Sequence, residues 1–238
     1  YNYGLYSRGK GYEYTNFIPT LRRLGHEVTF FETWDRTKYH DFRALNQDFL
    51  QTVAEVQPQV IFAVQTHYEI WLETWKTIRD SAISATVNWA TDDSWKYFQF
   101  SRFLVPVLHA FATTYPESYD QYHRDGHSNV LLTQWAANAE TLNEPLPAKS
   151  CRYKVTFIGS AHGDRIRRIA KLRSMGLDAQ CFGYGWPSGP ISAETIPKII
   201  KDSVISLNFA NSRGLNQIKA RNFEVPGAGG FLLTENAL

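Results

Sequence analysis

The chain has 238 residues, 43% of them hydrophobic and 20% charged, with a formal net charge of +2. That length buries one large α/β domain or two smaller ones, and the near-neutral balance excludes the basic footprint of a nucleic-acid-binding or polybasic membrane-binding protein. No apolar run approaches the ~18 residues of a membrane span and no signal-peptide pattern opens the chain, which predicts a soluble, cytoplasmic protein. Two cysteines, Cys151 and Cys181, make neither a disulfide framework nor a zinc cluster and read as small core residues. A start at Tyr1 and a stop at Leu238, shortly after an apolar run, predict a fragment truncated at both ends.

Short apolar runs alternate with amphipathic stretches along the chain. A helix is expected over residues 14–24, closed by Gly25, followed by a strand over 27–31. Then come a helix over 44–56, a strand over 60–64, a helix over 68–81 and strands over 85–89, 110–113 and 130–132. The proline-bearing stretch 143–151, NEPLPAKSC, reads as a linker between a first domain at 1–145 and a second at 150–238. In the second half the expectation is strand 155–158, helix 165–175, strand 179–182, helix 193–201 with Ser192 as its N-cap, and strands 204–209 and 230–234. Continuous apolar strands separated by helices predict an α/β protein of two doubly wound parallel sheets. Ligands of such sheets bind beyond the carboxyl ends of the strands, so the residues just after each strand are the site candidates.

Three loops of the second half meet that condition. FIGSAHGDR, residues 157–165, leads from strand to helix through Gly159, Ser160 and Arg165, an arrangement suited to an anion or to a plain tight turn. FGYGWPSGP, residues 182–190, brings Gly183, Tyr184 and Trp186 to a strand end, where an aromatic can stack on a flat base or plug a core gap. Residues 208–235 begin at Asn208 and contain Lys219, Arg221, Glu224, Gly229 and Gly230. Two cations at a helix start neutralise a diphosphate, a carboxylate one turn on accepts from a ribose diol, and the glycines permit close backbone approach. A solvated helix end carries the same residue types.

In the first half, Asp92 and Asp93 follow an expected strand; they read either as a helix start or as an acceptor-facing group, with Asp93 the candidate base. His67 follows strand 60–64 on the same edge, where it reads either as a catalytic candidate contacting acceptor or sugar or as a surface histidine, and His162 sits in the loop before Arg165. No pair has the spacing of a metal site.

The segments at residues 155–169 (VTFIGSAHGDRIRRI), 182–189 (FGYGWPSG), 205–214 (ISLNFANSRG) and above all 217–235 (QIKARNFEVPGAGGFLLTE) resemble the CgeB-type family of spore-maturation-associated glycosyltransferase-like proteins, a branch of the GT-B transferases. Residues 21–32, 87–97 and 112–140 agree in collinear order. The resemblance implies a GT-B-like architecture, two Rossmann-like domains facing a cleft, with a nucleotide-diphosphate sugar donor on the second and a glycosyl acceptor on the first. It implies a metal-independent transferase with no cofactor beyond the donor substrate. Lys219 and Arg221 fall where diphosphate-neutralising, catalytic cations are expected, helped by backbone amides near Gly159 and Ser160. Glu224 falls where the ribose-binding glutamate is expected; eight positions earlier, where some relatives carry a second glutamate, stands Asn216. Other readings on the same scaffold are a non-catalytic nucleotide- or sugar-binding protein, a spore-coat-associated component, and a nucleotide-sugar epimerase or hydrolase.

Overall fold

The computed structural model of the chain describes residues 4, 9–35, 37–65, 67–209 and 218–235. It divides into two compact units, Tyr1–Gln134 and Trp135–Leu238, each built on a four-stranded parallel sheet. The division precedes the stretch expected as a linker. Residues 143–151 pack instead on the second unit, where the Asn143 amide donates to the Gly227 carbonyl at 2.9 Å and Lys201 Nζ to Asn143 Oδ1 at 3.3 Å.

The first unit opens with helix α1, Tyr12–Arg23, which carries Glu13 in its first turn and Arg22 and Arg23 in its last, both complementing the helix dipole. Gly25 closes it, its amide donating to the Arg22 carbonyl at 3.0 Å. Helix α2, Phe42–Val56, is capped by Asp41, which accepts from the Ala44 amide at 2.8 Å. There follow β1 (Val60–Ala63), α3 (Leu72–Ser81), β2 (Ala85–Ala90), α4 (Asp93–Lys96), a π turn over Tyr97–Ser101, α5 (Arg102–Leu104), β3 (Ala110–Thr113), α6 (Pro116–Arg124) and β4 (Val130–Leu132). The strands pair in the order β1-β2-β3-β4.

Alternation along the strands sorts the helices between the two faces. Ile61 and Ala63 pack with Leu45, Phe49, Trp75, Ile78, Phe111 and Tyr122, so α2, α3 and α6 cover one face. Phe62 points the other way, to Phe17 of α1 at 5.3 Å between ring centroids, and Phe17 also meets Trp89 at 4.9 Å. Each large side chain fully removed from water in this core contributes ~2–3 kcal/mol.

Two expectations need correction here. Residues 27–31 form no strand and pair with none among the described residues; Phe31 is held by side-chain packing on Phe49 at 4.9 Å, while Phe30 stays exposed. The helix expected from residue 68 begins at Leu72, because Asn46 and Gln65 hold the preceding loop: Asn46 Nδ2 donates to the Glu69 carbonyl at 3.0 Å and Gln65 Nε2 to that of Ile70 at 2.7 Å.

The second unit contains β5 (Tyr153–Ile158), α7 (Arg165–Ser174), β6 (Gln180–Phe182), α8 (Ile196–Lys201), β7 (Ser203–Asn208), α9 (Arg221–Gly227) and β8 (Leu232–Thr234). Its strand order, β6-β5-β7-β8, reverses direction between β5 and β7. Val155, Phe157, Cys181 and Leu207 pack against Ile169 of α7 on one face, while Ile158 and Leu232 pack with Ile200 of α8 and Val225 of α9 on the other. The sheet is thus doubly wound. Ser192 does not cap α8: it forms a separate turn, its carbonyl accepting from the Thr195 amide at 3.0 Å, and Thr195 precedes the helix. Among the described residues no helix is long and apolar enough to cross a membrane.

Candidate functional site

A sheet whose strand order reverses opens a crevice beyond the carboxyl ends of the two strands at the reversal. In the second unit those are β5 and β7, and the residues following them are Gly159 to Asp164 and Phe209. Arg165, the first residue of α7, spans this point. Its Nη1 donates to the Ser160 carbonyl at 3.1 Å and its Nη2 to the Phe209 carbonyl at 2.9 Å. The guanidinium lies 5.5 Å from the centroid of the buried Phe157 ring, and Phe157 stacks on Phe209 at 5.4 Å. Burial draws Arg165 below the ordinary arginine value and the nearby charge of Arg221 adds to that, with Asp164 and Glu235 opposing. His162 Nε2 lies 3.2 Å from Arg165 Nη1, and burial, then Arg165, hold its imidazole below the usual histidine range.

Around Arg165 stand further charged groups. Arg168, one turn along α7, bonds Asp164 through Nε and Glu235 through Nη1, both at 2.6 Å. Arg221 opens α9 and pairs with Glu224 at 2.9 Å. Lys219 lies two residues before Arg221, half-buried. Asn208, buried at the end of β7, donates to Asn222 Oδ1 at 2.6 Å and to Thr234 Oγ1 at 3.3 Å, which fixes the start of α9 against the sheet edge. Arg165, Arg168, Arg221, Glu224 and Glu235 therefore gather at the ends of β5, β7 and β8. Arg168 and Glu235 were not singled out from the sequence; the only signal was their place just inside a helix and just after a strand.

Several expected binding residues have structural partners instead. The Gly159 amide donates to the Phe182 carbonyl at 2.8 Å, closing the loop rather than facing a ligand. Trp186 is buried, meets Phe157 edge-on at 6.0 Å and donates from Nε1 to the Gly159 carbonyl at 2.8 Å, so it plugs the core. Tyr184 remains exposed beside it. Gly183 has φ +134°, and a Cβ there would sit 2.4 Å from the Gly159 carbonyl oxygen; only glycine lets these two loops touch. Likewise a Cβ on Gly229 would meet the Asn143 carbonyl oxygen at 2.8 Å and one on Gly230 would meet Ile200 Cγ2 at 2.5 Å. These two glycines admit neighbouring protein, not a ligand. Asn216 lies outside the described residues.

In the first unit, the loop after β1 and the start of α4 after β2 bring His67, Glu69, Asp92 and Lys96 together. Lys96 Nζ lies 3.4 Å from His67 Nε2, and Glu69 Oε2 accepts the His67 amide at 3.0 Å. Glu69 and Lys96 are both buried. Burial lowers the Lys96 pKa, with Asp92, Glu69 and Asp93 acting to raise it; burial and Lys96 lower that of His67. Asp93 is 3% exposed and accepts from Tyr122 Oη at 3.1 Å. Burial raises its pKa while Ser101, Thr113 and Tyr122 act to lower it. An enclosed carboxyl at a helix start is not accessible to an acceptor hydroxyl, whereas the His67 ring is exposed. Lys96 and Glu69 escaped sequence reading because their spacing to His67 carries no motif.

Residues 165–237 match the family model described as Glycosyl transferase-like, a stretch running from α7 past β8. No curated protein matches the chain. Among solved structures, a protein from Listeria monocytogenes assigned as a UDP-N-acetylglucosamine 2-epimerase is similar at 11% identity and TM-score 0.47, covering 82% of this chain and 62% of its own. The apo form of the lipopolysaccharide outer core galactosyltransferase WaaB is similar at 12% identity and TM-score 0.44, covering 72% of this chain and 56% of its own. This chain thus spans less than two thirds of either. Likeness at that level leaves the chemistry to be argued from the residues, and over residues 165–237 this chain resembles glycosyltransferases.

Proposed function

We propose that the chain is a GT-B-type glycosyltransferase of the CgeB-like kind that takes a nucleotide-diphosphate sugar on its second unit and passes the sugar to an acceptor. The observation that carries this reading is the gathering of Arg165, Arg221 and Glu224 at the reversal of a doubly wound sheet, within the stretch that resembles glycosyltransferases. In such a reaction negative charge grows on the departing diphosphate, so cations fixed in advance at that place lower the barrier. Lys219 and Arg221 supply that charge, which makes the reaction metal-independent. On binding, the diphosphate replaces Glu224 as the partner of Arg221, and Glu224 is released to accept from the ribose hydroxyls.

The acceptor is assigned to the first unit. His67, exposed beside Lys96, is the group there able to take the acceptor proton, once Lys96 turns to Glu69 or Asp92. Asp93 keeps a structural part at the start of α4.

The test is to incubate the protein with nucleotide sugars of each common base, with and without a panel of glycans and glycosylated small molecules, following nucleoside diphosphate release. Release that requires an acceptor and yields a glycosylated product supports the transferase. Release without any acceptor indicates a hydrolase, and interconversion of the sugar indicates an epimerase.

A further inference from the structure

Arginine at the start of a helix beside a strand-reversal crevice suggests a phosphate ligand, but both Nη groups of Arg165 already have backbone acceptors, only Nε being without one among the described residues. Nη1 and Nη2 are directed at the carbonyls of Ser160 and Phe209, 5 and 44 residues away in the chain. One acceptor belongs to the loop after β5 and the other to the residue after β7. These strands are hydrogen-bonded neighbours, Phe157 opposite Leu207, yet the chain leaves them in opposite directions across the sheet. The width of the crevice is set by how far apart those two exits are held. The guanidinium also lies over the Phe157 ring, which stacks on Phe209, and a Cβ added at Gly159 would press on that ring, 3.2 Å from Phe157 Cζ.

We propose that Arg165 is a positioning residue for the donor diphosphate, clamping the exits of β5 and β7 at a set separation, and is not itself the phosphate ligand. The inference rests on the donor reading above and refines it: Arg221 and Lys219 meet the diphosphate, while Arg165 fixes the loops that receive it. Carbonyl oxygens accept from both Nη groups of Arg165, and the carboxylates of Asp164 and Glu235 offset the like charge of Arg221. Lysine cannot reproduce the clamp. Its ammonium is a compact point charge without the flat fork that reaches two carbonyls at once and lies on a ring. A phosphate contact, by contrast, tolerates lysine well.

The experiment compares wild type, Arg165→Lys, Arg165→Gln and Arg221→Lys. Hydrogen exchange of the ligand-free proteins is read over residues 157–165 and 180–187, where the amides of Gly159 and Ala161 donate to the carbonyls of Phe182 and Tyr184. Affinity is measured for UDP, ADP and GDP and for uridine, adenosine and guanosine, with thermal midpoints taken alongside. The expected result is exchange about ten-fold faster in both Arg165 variants and unchanged in Arg221→Lys, since a net hydrogen bond is worth roughly a factor of ten. Diphosphate affinity of Arg165→Lys should fall about ten-fold while nucleoside affinity and thermal midpoint hold, a split that a general loss of structure would not produce. Unchanged exchange with weakened diphosphate binding in Arg165→Gln but not in Arg165→Lys would make Arg165 a direct phosphate ligand and overturn the proposal. Faster exchange in a protein that binds none of the diphosphates even as wild type would support the clamp and overturn the donor reading.

Discussion

Lys96 Nζ stands 3.4 Å from His67 Nε2, a cation against the ring nitrogen of an exposed imidazole in the loop after β1 of the first unit. An ammonium donates and cannot accept, so His67 sits there neutral, with Nε2 as acceptor and the proton on Nδ1.

Burial first and Lys96 second hold His67 below its ordinary value of 6.5. The Lys96→Met variant should therefore show His67 titrating at higher pH than in wild type, measured by NMR of the ring protons. A lowered histidine pKa contributes stability that is present above the unfolded value and lost as pH falls from about 6.5 through the folded value. That loss should be smaller in Lys96→Met, and a His67 titration indifferent to Lys96 would remove this pairing from the account.

Asp93 gives the opposite slope. Burial raises its carboxyl pKa above 3.8, so the folded state holds a proton that the unfolded state has released. The contribution is present at low pH and lost as pH rises from about 3.8 through the folded value. Asp93→Asn keeps the shape and removes the titration. The wild-type-minus-variant difference in unfolding free energy should fall with rising pH in that window, whatever the other carboxylates do. A difference that rises instead would mean the carboxylate is charged and stabilised in the fold.

Trp186 decides between core and ligand platform. As a core residue with an indole hydrogen bond to Gly159, its change to Phe should cost about 1 kcal/mol and its change to Ala about 3–5 kcal/mol, by denaturant unfolding. Both variants of a base-stacking platform would instead keep their stability and lose nucleotide affinity.

Gly183 and Gly189 form a matched pair, both at positive φ, with open space around Gly189 and the Gly159 carbonyl oxygen 2.4 Å from a Cβ on Gly183. Gly189→Ala should cost about 1 kcal/mol, the backbone term alone. Gly183→Ala adds a clash that moves one loop off the other, for a total of about 3 kcal/mol. Equal costs would show that the two loops are not in contact.

Much of this was legible in the residues. Short apolar runs mark strands, and β3 and β4 begin and end where those runs do. Residues 27–31 carry the same apolar signal, but a strand exists only by pairing, and a run of residues does not say whether a partner lies beside it. Ser192 carries a cap signature, but its hydroxyl meets that of Thr195 at 2.9 Å instead of a helix amide. The glycines at 229 and 230 suggest room for a ligand; a sequence records the missing Cβ but not what fills the space. From the sequence Arg165 suits an anion contact or a tight turn, and its carbonyl partner at Phe209, 44 residues away, is not legible there. Local pattern thus finds elements and the edge where a site lies, while the pairing of each charge is decided by packing between distant segments.

The central claim is that Lys219 and Arg221 bind a nucleoside diphosphate, and calorimetric titration of UDP, ADP and GDP tests it most directly. The titrations are run with and without EDTA on wild type and the Lys219→Ala/Arg221→Ala double variant. The account predicts that wild type binds one of the three, unchanged by EDTA, and that the double variant binds it about 100-fold more weakly, as expected for two charge-assisted contacts. Binding left intact in the double variant, or binding abolished by EDTA, would contradict it.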